Sequence, residues 1–219
     1  MQPNDAGYHT ATEGAQAEPE EELSLPTYEN LQTLVDELSL ATGDILRKRR
    51  VAQIVLQDQA LFLRKLKDIF ETSEELNSQE NLFSLFFIYK YMLSLGDTKI
   101  IETLFSQDYY VSSFGALECK SSLDDVTLSV DDPDLCAASS PTSELVSPTM
   151  RHRDFLQSKA KYKTLVKIES PQVLGQIHLV YRLNYLKDTA IARFIDDSVL
   201  QNINSLVYMN STDIVNYIF

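Results

Sequence analysis

The sequence lacks the residues on which most small catalytic or metal-binding sites are built. Among its 219 residues there is no tryptophan, and there are only three histidines, six glycines and two cysteines. No Ser, Cys or pair of carboxylates stands beside a histidine in an arrangement used for nucleophilic or acid–base catalysis. We therefore expect a protein that is not an enzyme and that needs no cofactor.

The two cysteines also limit the fold. Cys119 and Cys136 do not form a CxxC pair, and no histidine lies near them at the spacing of metal ligands. Two cysteines are too few for a disulfide scaffold, so a reduced intracellular protein is expected. The six glycines are scattered singly, which gives no glycine-rich loop for phosphates.

Long apolar runs are missing as well. The longest, from Leu82 to Tyr89, is followed by Lys90 and falls far short of the roughly 20 residues that a spanning helix needs. The N-terminus has neither the basic nor the apolar region of a secretion signal. No role at a membrane is expected.

Acidic residues are present in excess, but they are unevenly distributed. The net charge of −13 divides into −6 for residues 1–26, −4 for 27–117, −6 for 118–149 and +3 for 150–219. The two most acidic segments contain few large apolar residues, and the second is rich in Ser, Asp, Thr and Pro. Such sequence cannot bury enough apolar surface to fold.

This distribution predicts four parts. Residues 1–26 form a disordered acidic leader, and residues 119–149 form a disordered acidic insertion rich in Ser and Pro. Two helical-repeat regions, residues 27–118 and 150–219, make up the rest.

In these two regions, apolar residues recur at the spacing of amphipathic helices. Leu31, Leu34, Val35 and Leu38 form one such stripe, and Ser170 with Pro171 is a strong helix start. Helices are predicted over about 28–41, 44–56, 59–70, 78–95, 98–105, 108–118, 171–188, 197–210 and 211–219. Short helices joined by short loops favour an all-α, armadillo/HEAT-like α-solenoid of helix pairs, with a compact helical bundle as the alternative.

One stretch, RHRDFLQSKAKYKTLVKIE (residues 151–169), carries six Lys or Arg residues. The block from 150 to 219 has a net charge of only +3, so direct nucleic-acid binding is not expected. We interpret the stretch as the point where the chain re-enters the solenoid. Its apolar residues are predicted to pack, and its basic residues to face an acidic partner. The predicted packing residues are Phe155, Leu156, Tyr162, Leu165 and Ile168. The candidate partner surface consists of Arg151, Arg153, Lys159, Lys161, Lys163 and Arg182.

A second basic run, from Arg47 to Arg50, could be a nuclear localisation signal. Its four residues would point around most of a helix, and acidic residues lie nearby, which favours a solvated helix face.

The predicted insertion contains candidate phosphorylation sites. Ser140 and Ser147 each precede a proline, as proline-directed kinases require, and Ser121, Ser122 and Ser129 each have an Asp three residues later. Each phosphate would add a charge of about −2 to a segment that is already acidic.

Several motifs of the sequence match those of one known family. The matching residues of the first two motifs are Arg151, His152, Arg153, Asp154, Phe155, Leu156, Lys161, Tyr162 and Lys163. Those of the third motif are Ile177, His178, Tyr181, Arg182, Tyr185, Leu186 and Asp188. LFSQD (residues 104–108) and GALE (residues 115–118) match two further motifs. Together these motifs resemble the regulatory subunit 3 family of protein phosphatase 4, also called the SMEK proteins. The likeness runs from about Leu25 to Phe219, with only the insertion lacking a counterpart.

The resemblance implies an armadillo-like solenoid and a non-catalytic subunit, largely nuclear and also cytoplasmic. Such a subunit would bind the phosphatase 4 catalytic subunit and its second regulatory subunit, and would recruit phosphoprotein substrates in the DNA-damage response. The family's N-terminal pleckstrin-fold module and its later solenoid have no counterpart here, so a fragment or a truncated product is expected. A helical-repeat adaptor with partners unrelated to phosphatases is the alternative, because a fold does not determine a function.

Overall fold

A computed structural model of the chain describes residues 23–127, 151–163, 165–189 and 195–219, and the side chains of the first range as far as residue 119. Most of the residues in these ranges are in helices, and none of them is in a strand. The helices are α1 (Leu31–Ala41), α2 (Ile45–Glu75), α3 (Gln79–Ser94), α4 (Thr98–Leu104), α5 (Tyr110–Thr127), α6 (His152–Asp154), α7 (Pro171–Asp188) and α8 (Asp197–Ile218). A π-helical turn, Phe155–Lys159, directly follows α6.

Side chains cap three helix starts that lie close to the predicted boundaries. The Asp44 carboxylate accepts from the backbone N–H of Leu46 at 2.8 Å, and the Asp97 carboxylate accepts from those of Lys99 and Ile100. Ser170 accepts from the N–H of Val173, with Pro171 in the first helical position. Each cap satisfies a backbone donor that has no partner within its own helix.

Helix α2 is interrupted near its middle. Gln57 has an extended backbone, and Asp58, Gln59 and Ala60 have φ between 50° and 58°, in the left-handed region. The chain therefore forms two helical segments, as the sequence predicts, and changes direction between them.

Helix α8 corrects the prediction of two C-terminal helices. Ser211, the predicted first residue of the second one, lies inside a continuous helix from Asp197 to Ile218. The polar side chains here bond back to the preceding turn: Asn210 Nδ2 donates to the Leu206 carbonyl at 2.9 Å, and Thr212 Oγ1 donates to the Tyr208 carbonyl at 2.9 Å. Because these groups are satisfied within the helix, they do not end it.

The helices pack in two layers. Helix α3 contacts both α1 and α5 and forms one layer with them, while α2 and α4 form a second layer against it. Helices α7 and α8 form a further antiparallel pair, and α8 contacts α3 and α4. This stacking of helix pairs confirms the predicted all-α solenoid.

The core is rich in aromatic side chains. The largest fully buried ones are Tyr89, Phe62, Phe70, Phe86, Phe105 and Phe114. Burying a side chain such as Phe contributes about 1.5–3 kcal/mol. These residues come from α2, α3, α5 and the end of α4, so the core runs through both layers.

Two predicted boundaries shift. Leu23 is buried in the core, and Asn30 Nδ2 donates to Ser24 Oγ and to the Leu25 carbonyl, so residues 23–26 belong to the folded part. Helix α5 continues to Thr127, nine residues into the predicted insertion. Residues 1–22 and 128–150 lie outside the described residues, and their predicted disorder stays a prediction. Within the described ranges, no helix is long and apolar enough to cross a membrane.

Candidate functional site

The segment that follows the insertion is attached to the first helical region by an ion pair. Both terminal guanidinium nitrogens of Arg153 donate to the Glu74 carboxylate of α2. Nη1 lies 2.5 Å from Oε2, and Nη2 is bonded to Oε1. Burial, the largest single cause, lowers the pKa of Arg153, but the hydrogen bond to Glu74 and the negative charges of Glu74, Glu118 and Asp154 together outweigh it, so that the pKa is raised. The more exposed Arg151 lies 3.5 Å from the same carboxylate. The pair thus joins residues 79 positions apart in the sequence.

Helix α5 provides the second attachment. The backbone N–H of Arg153 donates to Glu118 Oε1 at 3.0 Å. Burial raises the pKa of the Glu118 carboxyl, and the Arg153 and His152 backbone bonds oppose that rise. Glu118 therefore anchors the start of α6 while Glu74 holds the side chain of Arg153.

Gly115 makes the close approach of Arg153 possible. A Cβ added at Gly115 would lie 2.5 Å from Phe70 Cζ and 2.8 Å from Arg153 Nη1. The guanidinium carbon of Arg153 lies 5.7 Å from the centre of the Phe70 ring. A side chain at position 115 would occupy the space between α5 and these two groups.

Tyr185 of α7 joins the second helical region to the same segment. Its hydroxyl lies 3.0 Å from His152 Nδ1, and its ring stacks on Phe155 with 5.4 Å between centroids. The Phe114 ring of α5 meets Tyr185 edge to face at 5.9 Å. Burial lowers the pKa of His152, which favours the neutral imidazole.

Arg182 joins α7 to the turn between α4 and α5. Its Nη1 donates to the Phe105 carbonyl at 3.0 Å, its Nη2 donates to Gln107 Oε1, and its guanidinium lies 4.0 Å from the centre of the Tyr110 ring. Burial lowers the pKa of Arg182. Arg182 therefore binds groups of the protein itself on the side that faces the turn.

The motifs noted in the sequence therefore meet in one place. RHRDFL, LFSQD, GALE and the motif of α7 contact one another through Arg153, His152, Phe105, Gly115 and Arg182. We call the cluster formed by Glu74, Gly115, Glu118, His152, Arg153, Phe155, Arg182 and Tyr185 the junction. It joins the chain before the insertion to the chain after it.

Comparison with known proteins identifies the family. The model of the phosphatase 4 regulatory subunit 3 family matches residues 31–128 and 142–219. The chain belongs to this family. The match omits residues 129–141, in the middle of the predicted insertion.

Two curated relatives agree. The chain is 32% identical over 200 residues to "Suppressor of Mek1" of Dictyostelium discoideum, covering 90% of this chain and 17% of that protein. It is 25% identical over 201 residues to "Serine/threonine-protein phosphatase 4 regulatory subunit 3" of Drosophila melanogaster, covering 90% of this chain and 18% of that protein. The chain thus spans less than a fifth of these relatives' length. No solved structure gives a significant match.

The family description is that of a regulatory subunit and not of a catalytic one, which confirms the prediction that the chain is not an enzyme. In the part of the chain that the structure describes, no group of three or more His, Cys, Asp or Glu side chains could hold a metal ion. Burial raises the pKa of the Cys119 thiol to about 11, so this cysteine is a poor nucleophile.

Two of the predicted surface residues are not on the surface. Arg153 and Arg182 are only 9% and 7% exposed, and both bind other groups of the protein. The prediction that they face a partner is wrong, because the Glu74 carboxylate holds the guanidinium of Arg153, and the Phe105 carbonyl, the Gln107 amide and the Tyr110 ring hold that of Arg182. In this chain, Arg153 and Arg182 stabilise the fold.

The other four candidates are exposed. Arg151, Lys159, Lys161 and Lys163 all face solvent, and the last two lie in a non-helical segment. We call these four residues the basic strip. Among the described residues, no carboxylate forms an ion pair with Lys159, Lys161 or Lys163, whereas Arg151 shares Glu74 with Arg153.

The residues that were predicted to pack also fall into a buried group and an exposed group. Leu156 is buried and Phe155 is half-buried, as predicted. Leu165 is fully exposed, and Tyr162 is 44% exposed with its ring edge against His178, so the packing predicted for these two is wrong. Apolar residues in a segment without helical spacing have no common face to bury.

The candidate phosphorylation sites are not tested. Ser121 and Ser122 lie on α5 beyond the described side chains, and Ser129, Ser140 and Ser147 lie outside the described residues. They stay predictions.

Two residues that hold the buried arginines belong to none of the motifs noted in the sequence. Glu74 of the junction binds Arg153, and Tyr110 lies against Arg182, only because folding brings them together. The sequence did contain one signal. Arg153 and Arg182 stand next to apolar residues in helix-forming motifs, which indicates that hydrogen-bond acceptors for their guanidinium groups are needed within the fold.

Proposed function

We propose that this chain is a non-catalytic regulatory and scaffold subunit of the protein phosphatase 4 complex. It binds the catalytic subunit and the second regulatory subunit of that complex and directs it to phosphoprotein substrates. The observation that carries the proposal is the family match, which extends over both helical regions and includes the residues of the junction.

The geometry supports a scaffold role. The junction holds the two helical regions together through ion pairs, hydrogen bonds and ring contacts between distant parts of the sequence. A rigid solenoid presents a fixed surface to its partners, and binding is stronger when a surface does not have to be ordered first. The junction thus keeps the basic strip in a defined position relative to the solenoid.

The basic strip is the proposed contact with an acidic surface of the phosphatase complex. Lys159, Lys161 and Lys163 are exposed and form no ion pair with the described carboxylates. Charged groups at the edge of an interface accelerate association and favour partners of opposite charge. No direct binding of nucleic acid or membrane is part of the proposal.

The resemblance to the family also supports a proposal about where in the cell the protein acts and on which substrates. We place the protein in the nucleus and also in the cytoplasm, with substrates of the DNA-damage response. Phosphorylation of the serines of the predicted insertion would add negative charge close in sequence to the basic strip.

The test is a binding measurement between the full chain and a reconstituted complex of the catalytic and second regulatory subunits. A charge-reversal variant with Lys159→Glu, Lys161→Glu and Lys163→Glu is expected to weaken binding by about tenfold at low salt. The matched control reverses three exposed bases of α2, with Arg47→Glu, Arg49→Glu and Arg50→Glu. It makes the same change in net charge and is expected to bind nearly as the parent protein does.

Equal losses in the two variants would show that only net charge matters and would remove the strip from the proposal. If the parent chain binds neither phosphatase subunit, the regulatory role itself is contradicted. A helical-repeat adaptor with other partners would then be the better interpretation.

A further inference from the structure

The segment that carries the basic strip lies along α7. At one end the Phe155 ring stacks on Tyr185, and at the other the Tyr162 ring meets His178 edge to face, with 5.2 Å between centroids. His178 and Tyr185 are two helical turns apart, which is about 10 Å along the helix axis. Residues 155–162 therefore run antiparallel to α7 between these two contacts, and the bases of the strip lie beside one face of the helix.

Tyr181 lies in the middle of this face, exposed to solvent but held in position. The residue is 46% exposed, and its ring stacks on that of Tyr185 with 6.4 Å between centroids. Tyr185 is itself fixed by its contacts with His152 and Phe155 in the junction. A tyrosine that is already ordered loses little conformational entropy when a partner packs on it. We call Tyr162, His178 and Tyr181 the aromatic face.

The charge beside the aromatic face is positive. Residues 151–163 include five Lys or Arg residues and a single acid, Asp154. Among the described residues, no carboxylate forms an ion pair with Lys159, Lys161 or Lys163. Their charges are therefore available to the carboxylates of a partner.

Arg182 adds a buried positive charge beneath the same face. Its guanidinium binds a carbonyl, an amide oxygen and a ring, and no carboxylate of the described residues forms an ion pair with it. Burial lowers the pKa of His178, and the charge of Arg182 lowers it further, so this charge acts at the aromatic face. A buried cation attracts an anionic group more strongly than an exposed one does, because solvent screens it less.

We propose that the aromatic face and the basic strip together bind one segment of the phosphatase complex in which a large apolar side chain lies between Asp or Glu residues. The apolar side chain packs on the rings of Tyr162 and Tyr181, and the carboxylates pair with Lys159, Lys161 and Lys163. Aromatic contacts at the centre with charged groups at the rim are the usual arrangement of a protein interface. The inference rests on the proposed function, because it names the chemistry of the partner segment that the strip binds.

The exposed apolar residues of α8 lack this combination. Tyr208 and Met209 are exposed, but α8 (Asp197–Ile218) contains no Lys or Arg. A partner segment rich in carboxylates has nothing to pair with on that helix. Tyr208 is therefore a matched control for Tyr181.

The experiment measures the affinity of the full chain for the reconstituted complex of the catalytic and second regulatory subunits at about 50 mM and about 500 mM salt. Tyr181→Ala is expected to weaken binding by about tenfold at both salt concentrations, because the lost contact is apolar. Reversing the charges of Lys159, Lys161 and Lys163 should weaken it mainly at low salt. Tyr181→Phe keeps the ring and should bind within about threefold of the parent, and Tyr208→Ala should bind as the parent does. Melting temperatures show whether each variant is folded.

Photo-crosslinking identifies the partner segment without removing the ring. With p-benzoylphenylalanine at position 181, the crosslink is expected in a segment of either phosphatase subunit where at least two Asp or Glu residues surround a large apolar one. A crosslink to a segment without carboxylates, or to a second copy of this chain, overturns the inference. So does a folded Tyr181→Ala variant that binds as the parent does, or a Tyr208→Ala variant that loses as much.

The two proposals fail in different ways. If the parent chain binds and only the lysine variant is weakened, the inference about the aromatic face is wrong and the proposed function stands. If the parent chain binds neither phosphatase subunit, the proposed function is wrong and the inference falls with it.

Discussion

The two halves of the basic stretch 151–169 lie in opposite environments. At its start, Arg153 is buried and bonded to Glu74, and Leu156 is in the core. Ten residues further on, Lys161 and Lys163 are exposed, and Leu165 has no packing contact at all. The composition of the two halves is similar, but one half belongs to the junction and the other to the surface.

The difference shows what decides the place of a charged residue in this protein. Arg153 can be buried because α2 and α5 supply carboxylates at the right positions, and because Gly115 leaves room for its guanidinium. Among the described residues, no carboxylate forms an ion pair with Lys161. A charge is buried only where its partners are already in place.

The largest effect is expected for Glu74→Leu. This change leaves Arg153 partly buried without its carboxylate and should lower the free energy of unfolding by roughly 2–4 kcal/mol. Urea unfolding followed by circular dichroism measures it. Arg151→Ala is the control, since Arg151 is exposed and should contribute less than about 1 kcal/mol. A loss for Arg151→Ala as large as that for Glu74→Leu would contradict the distinction between the two halves.

Gly115→Ala should destabilise the junction by about 1–3 kcal/mol, because the added methyl group would lie 2.5 Å from the Phe70 ring. Gly175→Ala, where the added Cβ meets no atom within 4 Å, should instead stabilise the protein by up to about 1 kcal/mol. Thermal unfolding of the two variants gives the comparison. Equal effects would mean that Arg153 and Phe70 do not approach α5 as closely as described.

Phe155→Ala removes the ring that stacks on Tyr185 and should cost about 1–2 kcal/mol. Lys161→Ala, in the exposed half, should change the free energy of unfolding by no more than about 0.5 kcal/mol. Calorimetry of the two variants at the same pH shows which change destabilises the protein more. The reverse order would return residues 160–169 to the packed part of the fold.

The smallest effect concerns pH. The pKa of His152 is lowered in the folded protein by burial, so the unfolded chain binds its proton more readily. The contribution of this residue is therefore present above the unfolded pKa of about 6.5 and is lost as the pH falls below it. Unfolding measured between pH 7.5 and pH 5.5 should show a small loss of stability, and His152→Gln should reduce it. An unchanged slope in the variant would show that His152 is not the group responsible.

Much of the fold could be predicted from the sequence. The stripe of Leu31, Leu34, Val35 and Leu38 and the helix starts near residues 44, 98 and 171 depend on neighbours within a few residues, and the structure has them close to where they are predicted. Local signals were misleading at Ser211, where a capping residue lies inside α8 because the adjacent polar side chains bond within the helix.

The junction could be predicted only in part. Its motifs are recognisable in the sequence, but Arg153 and Arg182 read as surface residues because arginine is usually exposed. Their partners Glu74, Phe105 and Gln107 are 75 to 79 residues away in the sequence. No periodicity or spacing links them.

The sequence by itself determined that this protein is helical, that most of its net negative charge lies in residues 1–26 and 118–149, and that its motifs are those of the phosphatase 4 regulatory subunit 3 family. Hydrophobic periodicity and helix caps carry that information locally. Only the tertiary structure decided which basic residues are buried and which remain available to a partner. The reason is that a buried charge depends on carboxylates, carbonyls and rings that folding brings together from distant parts of the chain.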